Sequence, residues 1–301
     1  MLSPASNPYK AKSSEAALKP LSGFSLLAAS GPDSAAFLQA QLMNDVRALA
    51  PGQWQWNGWL NPKGRVICLF ALLRCADSDF VAVLPDFPAA ELQALLQRFV
   101  FRSKLQLRVL DELVAAAGDE ALARDGAWPR DRAQAEAAGW RLDFGGDQGE
   151  RWLHLRPRGE DGLLATDPVL DAAWHGADLA HGLPRLDPGQ REAWTPQMLS
   201  LQRLHAFSLA KGCYPGQEIV ARTHYLGQAK RELVRLRGTE LVSGANVAGA
   251  DGRALGTVVC SRADGVEALA VLQVERAAGP WRAGGEEVAG VPLLDGLQRP
   301  L

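Results

Sequence analysis

No stretch of this 301-residue sequence is apolar for long enough to cross a bilayer, which takes about 18 consecutive residues. The longest runs, such as Val66 to Leu73, fall far short, so a helical membrane protein is excluded and no membrane partner is expected. Met1 to Pro20 lacks the continuous apolar core of a secretory signal and holds Ser, Pro, Asn and Lys instead, so the cytoplasm is the expected compartment. An excess of one charge is lacking too. Thirty-two basic against thirty-four acidic residues give a net charge of -2, with no global field for binding nucleic acid by counterion release, and any such contact has to be local. Cysteine is sparse: Cys68, Cys75, Cys213 and Cys260 form no CxxC pair and have no histidine at zinc-site spacing, which removes a structural zinc and a disulfide framework. The five histidines are too dispersed for a metal site, and His175 and His181 are assigned to surface or supporting roles. GxSxG, Walker A, HExxH and GxGxxG are all absent, so hydrolase, nucleotidase and dinucleotide-binding readings lose their usual support.

What is present is an ordinary globular composition, 47% hydrophobic and 22% charged, at a length that fits two or three domains. Residues 1–20 read as a flexible arm. Phe24 to Ala29 has a strand pattern ending at Gly31-Pro32-Asp33, and Asp33 or Ser34 caps a helix with Phe37, Leu38, Gln41, Leu42 and Val46 on one face. Three strand-like runs follow as a meander, Gln53 to Leu60, Arg65 to Arg74 and Asp79 to Leu84. Pro88 opens a second amphipathic helix, and Leu105 to Leu110 returns as a strand, so residues 21–110 alternate in a split, ferredoxin-like manner. Within a second α+β domain, residues 111–228, Ala133 to Ala138 is expected as helix, Trp152 to Arg156 as a half-buried strand, and Thr195-Pro196 as a helix start. Short runs between Gly-rich turns after Arg231 make residues 229–301 an all-β sandwich or barrel.

The chemistry concentrates in Lys211-Gly212-Cys213-Tyr214-Pro215-Gly216-Gln217-Glu218. Two glycines and a proline in six residues force a tight turn, and Ile219-Val220 starts a helix. Cys213 then lies near a helix N-terminus with Lys211 two residues before it, and both features favour a thiolate over a thiol. The same spacing also describes a turn around a packed, inert cysteine.

This octamer resembles the K-G-C-Y-x-G-Q-E signature of the YgfZ family at all seven defined positions. Those proteins are folate-binding relatives of the glycine-cleavage aminomethyltransferase and act in iron-sulfur protein maturation and tRNA modification. The likeness continues through Arg222 and Gly227 to Arg231, and upstream to Phe37-Leu38-Gln39, Asp45-Val46 and Lys63-Gly64. Trp174, Leu179, Gly182 and Pro184 resemble the segment that lines the family's folate pocket. The resemblance implies an aminomethyltransferase-like, multi-domain α+β ring with a ferredoxin-like N-terminal part and a C-terminal all-β barrel. It implies tetrahydrofolate, or a related reduced folate, as cofactor, with Phe24 and Trp174 against the pterin and Arg222 and Lys230 toward the glutamate tail. Cys213 becomes the reactive centre, with Lys211 tuning it and Gly212, Tyr214, Gly216, Gln217 and Glu218 shaping the turn. Partners would be iron-sulfur enzymes or carriers, including tRNA-thiolating enzymes, without strong direct tRNA binding.

Two departures shape that reading. The Asp-Asp pair of the aminomethyltransferase branch is replaced by Cys68 and Leu69, and the acidic residue before the pocket glycine is replaced by Ala180-His181. A folate-dependent aminomethyl transferase and a non-catalytic scaffold for iron-sulfur carriers stand as the alternatives.

Overall fold

The structure, a computed structural model, describes residues 18–118, 133–136, 139–159, 163–225, 227 and 229–299. Most of the expected arm therefore lies outside the described residues, but its last two positions already form strand β1 (Lys19–Pro20). The first sheet takes β2 (Ser25–Ser30), β3 (Trp54–Leu60), β4 (Val66–Ala76), β5 (Asp79–Leu84) and β6 (Gln106–Val109) in the order β3-β4-β5-β2-β6, antiparallel throughout. Helix α1 (Ser34–Gln41) follows β2, and α2 (Ala89–Val100) follows β5. With β3 set aside, the order is that of a ferredoxin-like βαββαβ unit, as expected, and β3 adds one edge strand.

Side-chain alternation sorts the strands of this sheet into two faces. Leu27, Ala29, Phe70 and Leu72 pack under α1 and α2 with Phe37, Leu38, Leu92 and Leu96. Leu26, Ala28, Leu69, Ala71 and Leu73 face the other way, into a core shared with the rest of the chain. Trp54 and Trp56 also take that inner face and are fully buried, which makes them core rings rather than pocket walls.

The second sheet runs β1-β7-β10-β9-β8, with β7 (Leu113–Ala117), β8 (Gln134–Glu136), β9 (Gly139–Asp143) and β10 (Trp152–Pro157). The helix expected over 133–138 is instead strand β8, and 137–138 lie outside the described residues. Ala135 pairs with Trp140 across a hairpin, and tertiary pairing overrides the helical propensity of alanine. Trp152 to Leu155 are buried on both faces, more deeply than a half-buried strand would be.

Helix α3 (Pro168–Ala180) stands where no helix was expected. Asp167 caps it, its carboxylate accepting the Val169 and Leu170 amides, and Pro168 sits at the first helical position, where its missing N–H costs nothing. The helix expected from Thr195-Pro196 is absent. Ser200, at φ 50°, turns the chain so that its hydroxyl accepts the Leu233 amide, and only a short 3-10 turn, Leu201–Leu204, follows. Helix α4 (Gln217–Tyr225) closes the segment.

The C-terminal strands β11 (Arg231–Arg237), β12 (Asn246–Ala248), β13 (Ala254–Ser261), β14 (Glu267–Gln273), β15 (Trp281–Ala283) and β16 (Glu286–Val291) form a closed barrel, β11-β14-β13-β12-β15-β16, sealed by β11–β16 pairing. After Val291 the chain leaves the barrel and runs back between the first two sheets. The Leu297 carbonyl accepts the Trp56 indole N–H at 2.8 Å, and the Arg299 guanidinium reaches the Asp143 carbonyl and lies over the Trp54 ring. Among the described residues no helix is long and apolar enough to cross a membrane.

Candidate functional site

The octamer folds as a loop fastened at three points. Lys211 is buried, and its ammonium donates to the Gln39 and Leu42 carbonyls at the end of α1. Burial pushes its pKa down to about 8, against an upward pull from Asp45, and Arg47 adds to the lowering. Its Nζ also lies 4.9 Å from the centroid of the buried Tyr214 ring. The Gln217 amide donates back to the Lys211 carbonyl at 3.2 Å and draws the loop closed. The third fastening is backbone on backbone. Gly216 (φ 78°) rests on the turn that holds Gly64 (φ 67°), so close that a Cβ on Gly216 would sit 2.5 Å from the Asn61 carbonyl oxygen and 2.6 Å from the Gly64 Cα. Glu218, exposed in the first turn of α4, places a carboxylate at the positive end of that helix.

Gly212 and Cys213 stand exposed at the crest of this loop. The environment expected for the thiol differs from the one found. The Lys211 cation turns inward to α1, and α4 begins at Gln217, four residues beyond Cys213, so neither ammonium nor helix amide hydrogen-bonds the sulfur. What sets Cys213 apart is access. Of the four cysteines it alone is exposed; Cys68 and Cys260 are buried and Cys75 is half-buried. Burial pushes the Cys260 thiol up to about 12 and the Cys68 thiol higher still. Arg74 adjoins Cys75, but its guanidinium binds the Leu49, Ala76 and Asp77 carbonyls, and burial together with Asp79 lifts the Cys75 thiol to about 12. Iodoacetamide at neutral pH should therefore label Cys213, with the other three slower by roughly a hundredfold or more, since thiolate is the reacting form. Peptide mass spectrometry of the native protein reads this directly.

Phe24 and Trp174, from opposite ends of the first 180 residues, are joined by one charged cluster. Asp178, one turn after Trp174 on α3 and wholly buried, accepts Arg151 at 2.8 Å and Arg185 at 3.0 Å. The Arg151 guanidinium lies 4.7 Å from the centroid of the Trp174 ring, and that of Arg185 lies 5.3 Å from the centroid of Phe24. Phe144 bridges Trp174 to the core, 5.7 Å from it and stacked on Trp54 at 5.1 Å. Around the cluster, buried polar atoms remain without partners among the described residues: Trp174 Nε1, His175 Nε2, Arg151 Nη2 and Arg185 Nε. Trp174 itself is only 4% exposed, so truncating it to Ala would strip core packing as well as any ligand contact.

Sequence reasoning missed Asp178, Arg151 and Arg185. The i, i+4 relation of Trp174 to Asp178 would have exposed the first, had the Asp167-Pro168 cap been read as a helix start. Arg222 and Lys230 are not brought into the cluster: both are exposed, on α4 and at the entry to β11, and neither forms an ion pair among the described residues. His175 and His181 are not surface groups. His181 is buried, its Nδ1 2.7 Å from the Ala177 carbonyl oxygen, and burial lowers the half-buried His175 to about 4. Among the described residues, no His, Cys, Asp and Glu group gathers into a metal site.

Asp86 borders the same region, its carboxylate accepting the Leu186 amide. Burial raises it from 3.8 to about 7, against the lowering effects of that hydrogen bond and of Arg185 and Arg191. A raised folded-state pKa stabilises the fold below the unfolded value and loses that contribution as pH climbs through the folded one. Stability should accordingly fall between about pH 4 and 7, and Asp86→Asn should flatten that part of a urea-midpoint profile.

No protein-family model matches the chain. A tRNA-modifying protein YgfZ from Vibrio vulnificus is 29% identical over 293 residues, covering 94% of this chain and 82% of that one. A tRNA-modifying protein YgfZ from Edwardsiella ictaluri is 32% identical over 225 residues, covering 70% and 67%. In structure, the glycine cleavage system aminomethyltransferase T from Bartonella henselae superposes with a TM-score of 0.72 at 19% identity, over 94% of this chain and 86% of that one, which establishes the expected aminomethyltransferase-type fold. With the signature loop intact and this identity spread over two thirds or more of both chains, the chain belongs to the YgfZ family, whose curated members are named tRNA-modifying proteins.

Proposed function

We propose that this protein supports tRNA modification through Cys213, in a manner that depends on a reduced folate bound at the Phe24–Trp174 cluster and that serves iron-sulfur enzymes, the tRNA-thiolating ones among them. One observation carries the reading: the accessible thiol stands on a loop fastened to α1 by Lys211 and to the Asn61–Gly64 turn by Gly216. A loop so held presents its thiol to a partner in one orientation, with little ordering left to occur on contact.

The cluster suits a folate. Two aromatic rings, each with a guanidinium on one face, bring flat apolar surface to the cluster, and the indole, imidazole and guanidinium nitrogens without partners among the described residues offer polar contacts for a pterin's ring atoms. When bound, a reduced folate supplies a carrier for one-carbon units. Asp178 fixes both guanidiniums, and each guanidinium lies over one of the two rings. Proton transfer to a folate nitrogen needs a positioned acid or base. Cys68 and Leu69, where the transferase branch carries its Asp pair, are buried and offer neither, which favours a supporting role over aminomethyl transfer.

Titration with tetrahydrofolate should quench tryptophan fluorescence and raise the melting temperature, since a ligand selective for the native state stabilises it. Trp174→Phe, which keeps most of the core volume, should weaken that response. In a bacterium deleted for its family member, the wild-type gene should restore 2-methylthio-adenosine in tRNA and Cys213→Ser should not. Full rescue by Cys213→Ser would leave the scaffold reading in its place, and no thermal or fluorescence response at millimolar folate would remove the cofactor.

A further inference from the structure

Helix α2 ends in a way its packing does not require. The residue that closes it, Phe101, has φ 36° and ψ -94°, in the half of backbone space where helix ends normally carry glycine. A bulky side chain held there costs conformational energy, and nothing in the core repays it, because the Phe101 ring is 88% exposed. Phe99, 48% exposed, stands beside it, edge-to-face on Trp59 with centroids 6.1 Å apart. The Arg102 guanidinium lies 5.4 Å from the Phe101 ring centroid.

Along the chain around these rings the charge is of one sign. From Leu92 to Leu110 there are four cations, Arg98, Arg102, Lys104 and Arg108, and no carboxylate, in a chain whose net charge is -2. All four are exposed. Arg108 pairs with Glu112, whereas Arg98, Arg102 and Lys104 form no ion pair among the described residues. Asp33, across the loop, has its carboxylate engaged by the Lys104 amide at 2.6 Å.

We propose that this knob binds single-stranded nucleic acid, an unpaired base stacking on Phe101 and the flanking phosphates lying against Arg98, Arg102 and Lys104. An exposed ring flanked by guanidinium groups matches the two recurring elements of single-strand recognition, a stacking platform and a basic track for the backbone. A duplex offers no unstacked face to the ring. A lipid surface is the poorer match, since Arg98 before Phe99 and Arg102 after Phe101 interrupt the continuous apolar face that insertion needs. The site uses no residue of the Cys213 loop or of the Phe24–Trp174 cluster, so it stands or falls apart from the function proposed above.

The test is fluorescence anisotropy of full-length protein with a fluorescein-labelled 12-nucleotide RNA of mixed sequence, the same sequence as single-stranded DNA, and the RNA duplex, across a salt series. The single strands should bind about tenfold or more tightly than the duplex, with the RNA and DNA arms showing which sugar is preferred. Phe101→Gly should weaken single-strand binding about tenfold, yet raise the melting temperature, because glycine removes the backbone strain. That opposite pairing is what a merely structural phenylalanine would not produce. The triple variant Arg98→Gln, Arg102→Gln, Lys104→Gln should reduce the slope of log affinity against log salt by about 2, at roughly 0.7 per phosphate contact on a single strand. Equal binding by wild type and both variants would overturn the proposal, as would absence of wild-type binding at low salt. So would Phe101-dependent binding to vesicles of phosphatidylcholine and phosphatidylglycerol with no Phe101 dependence for the RNA.

Discussion

Replacing Asp178 with Ala is expected to cost about 3–5 kcal/mol of stability, the penalty for removing one partner from a buried ion pair. Asp178 has no exposed surface, and the two arginines that it holds, Arg151 and Arg185, keep 13% and 15% of theirs. Without the carboxylate both guanidiniums lose the partner they share, and Asp86 remains as a counter-charge acting on Arg185. Each also lies on an aromatic face, Arg151 on Trp174 and Arg185 on Phe24, so the two rings lose their common support. Urea denaturation of Asp178→Ala against wild type measures the loss, with Arg185→Met as a milder control that leaves the Asp178–Arg151 pair in place. A loss below about 1 kcal/mol would mean that the arginines swing out to water and that the cluster does not hold the rings.

The second large effect separates the two glycines of the signature loop. Gly216→Ala is expected to destabilise by about 2–4 kcal/mol, combining the penalty of a left-handed backbone for a residue with a Cβ and a clash with fixed backbone atoms. Its new methyl would lie within 2.7 Å of the Asn61 oxygen and of the Gly64 Cα and nitrogen, none of which is a flexible side-chain end. Gly212→Ala meets no heavy atom within 4 Å and should stay within about 0.5 kcal/mol of wild type. Thermal melts of the two variants decide the matter, and native alkylation of Cys213 should change for Gly216→Ala but not for Gly212→Ala. Equal stabilities would mean that the Gly64 turn yields easily and does not fasten the loop.

The first sheet was legible because both of its periodicities are local. Phe37, Leu38, Leu92 and Leu96 recur at helical spacing and face the same core layer, and the meander is punctuated by Asn61-Pro62-Lys63-Gly64 and Ala76-Asp77-Ser78. The second sheet was less legible. Its hairpin at Gln134–Asp143 is set by pairing with β10 rather than by the alanines of its own sequence, and Ser200 breaks a run that begins as a helix should. At the candidate site, the signature loop was visible as a motif, but the direction of the Lys211 side chain was not, because it answers carbonyls about 170 residues earlier. Arg151 and Asp178 meet across 27 residues for the same reason: long-range ion pairs leave no trace in local spacing. Trp54 and Trp56 alternate as a strand face should, yet that face becomes interior only when Phe144 and the returning residues 297–299 have covered it.

The returning segment after Val291 bears on the order in which the molecule can assemble. Trp56 finds the acceptor for its indole N–H 241 residues downstream, and Arg299 covers Trp54 from a similar separation. The ferredoxin-like sheet can pair its strands early, since their partners are close in sequence, but the aromatic layer on its inner face stays open to water until residues 297–299 have emerged and docked. Contacts of such separation form late and slowly. Nascent chains halted within the barrel should therefore show a paired first sheet with Trp54 and Trp56 still quenchable by acrylamide, and a chaperone that shields exposed indoles would act in that interval.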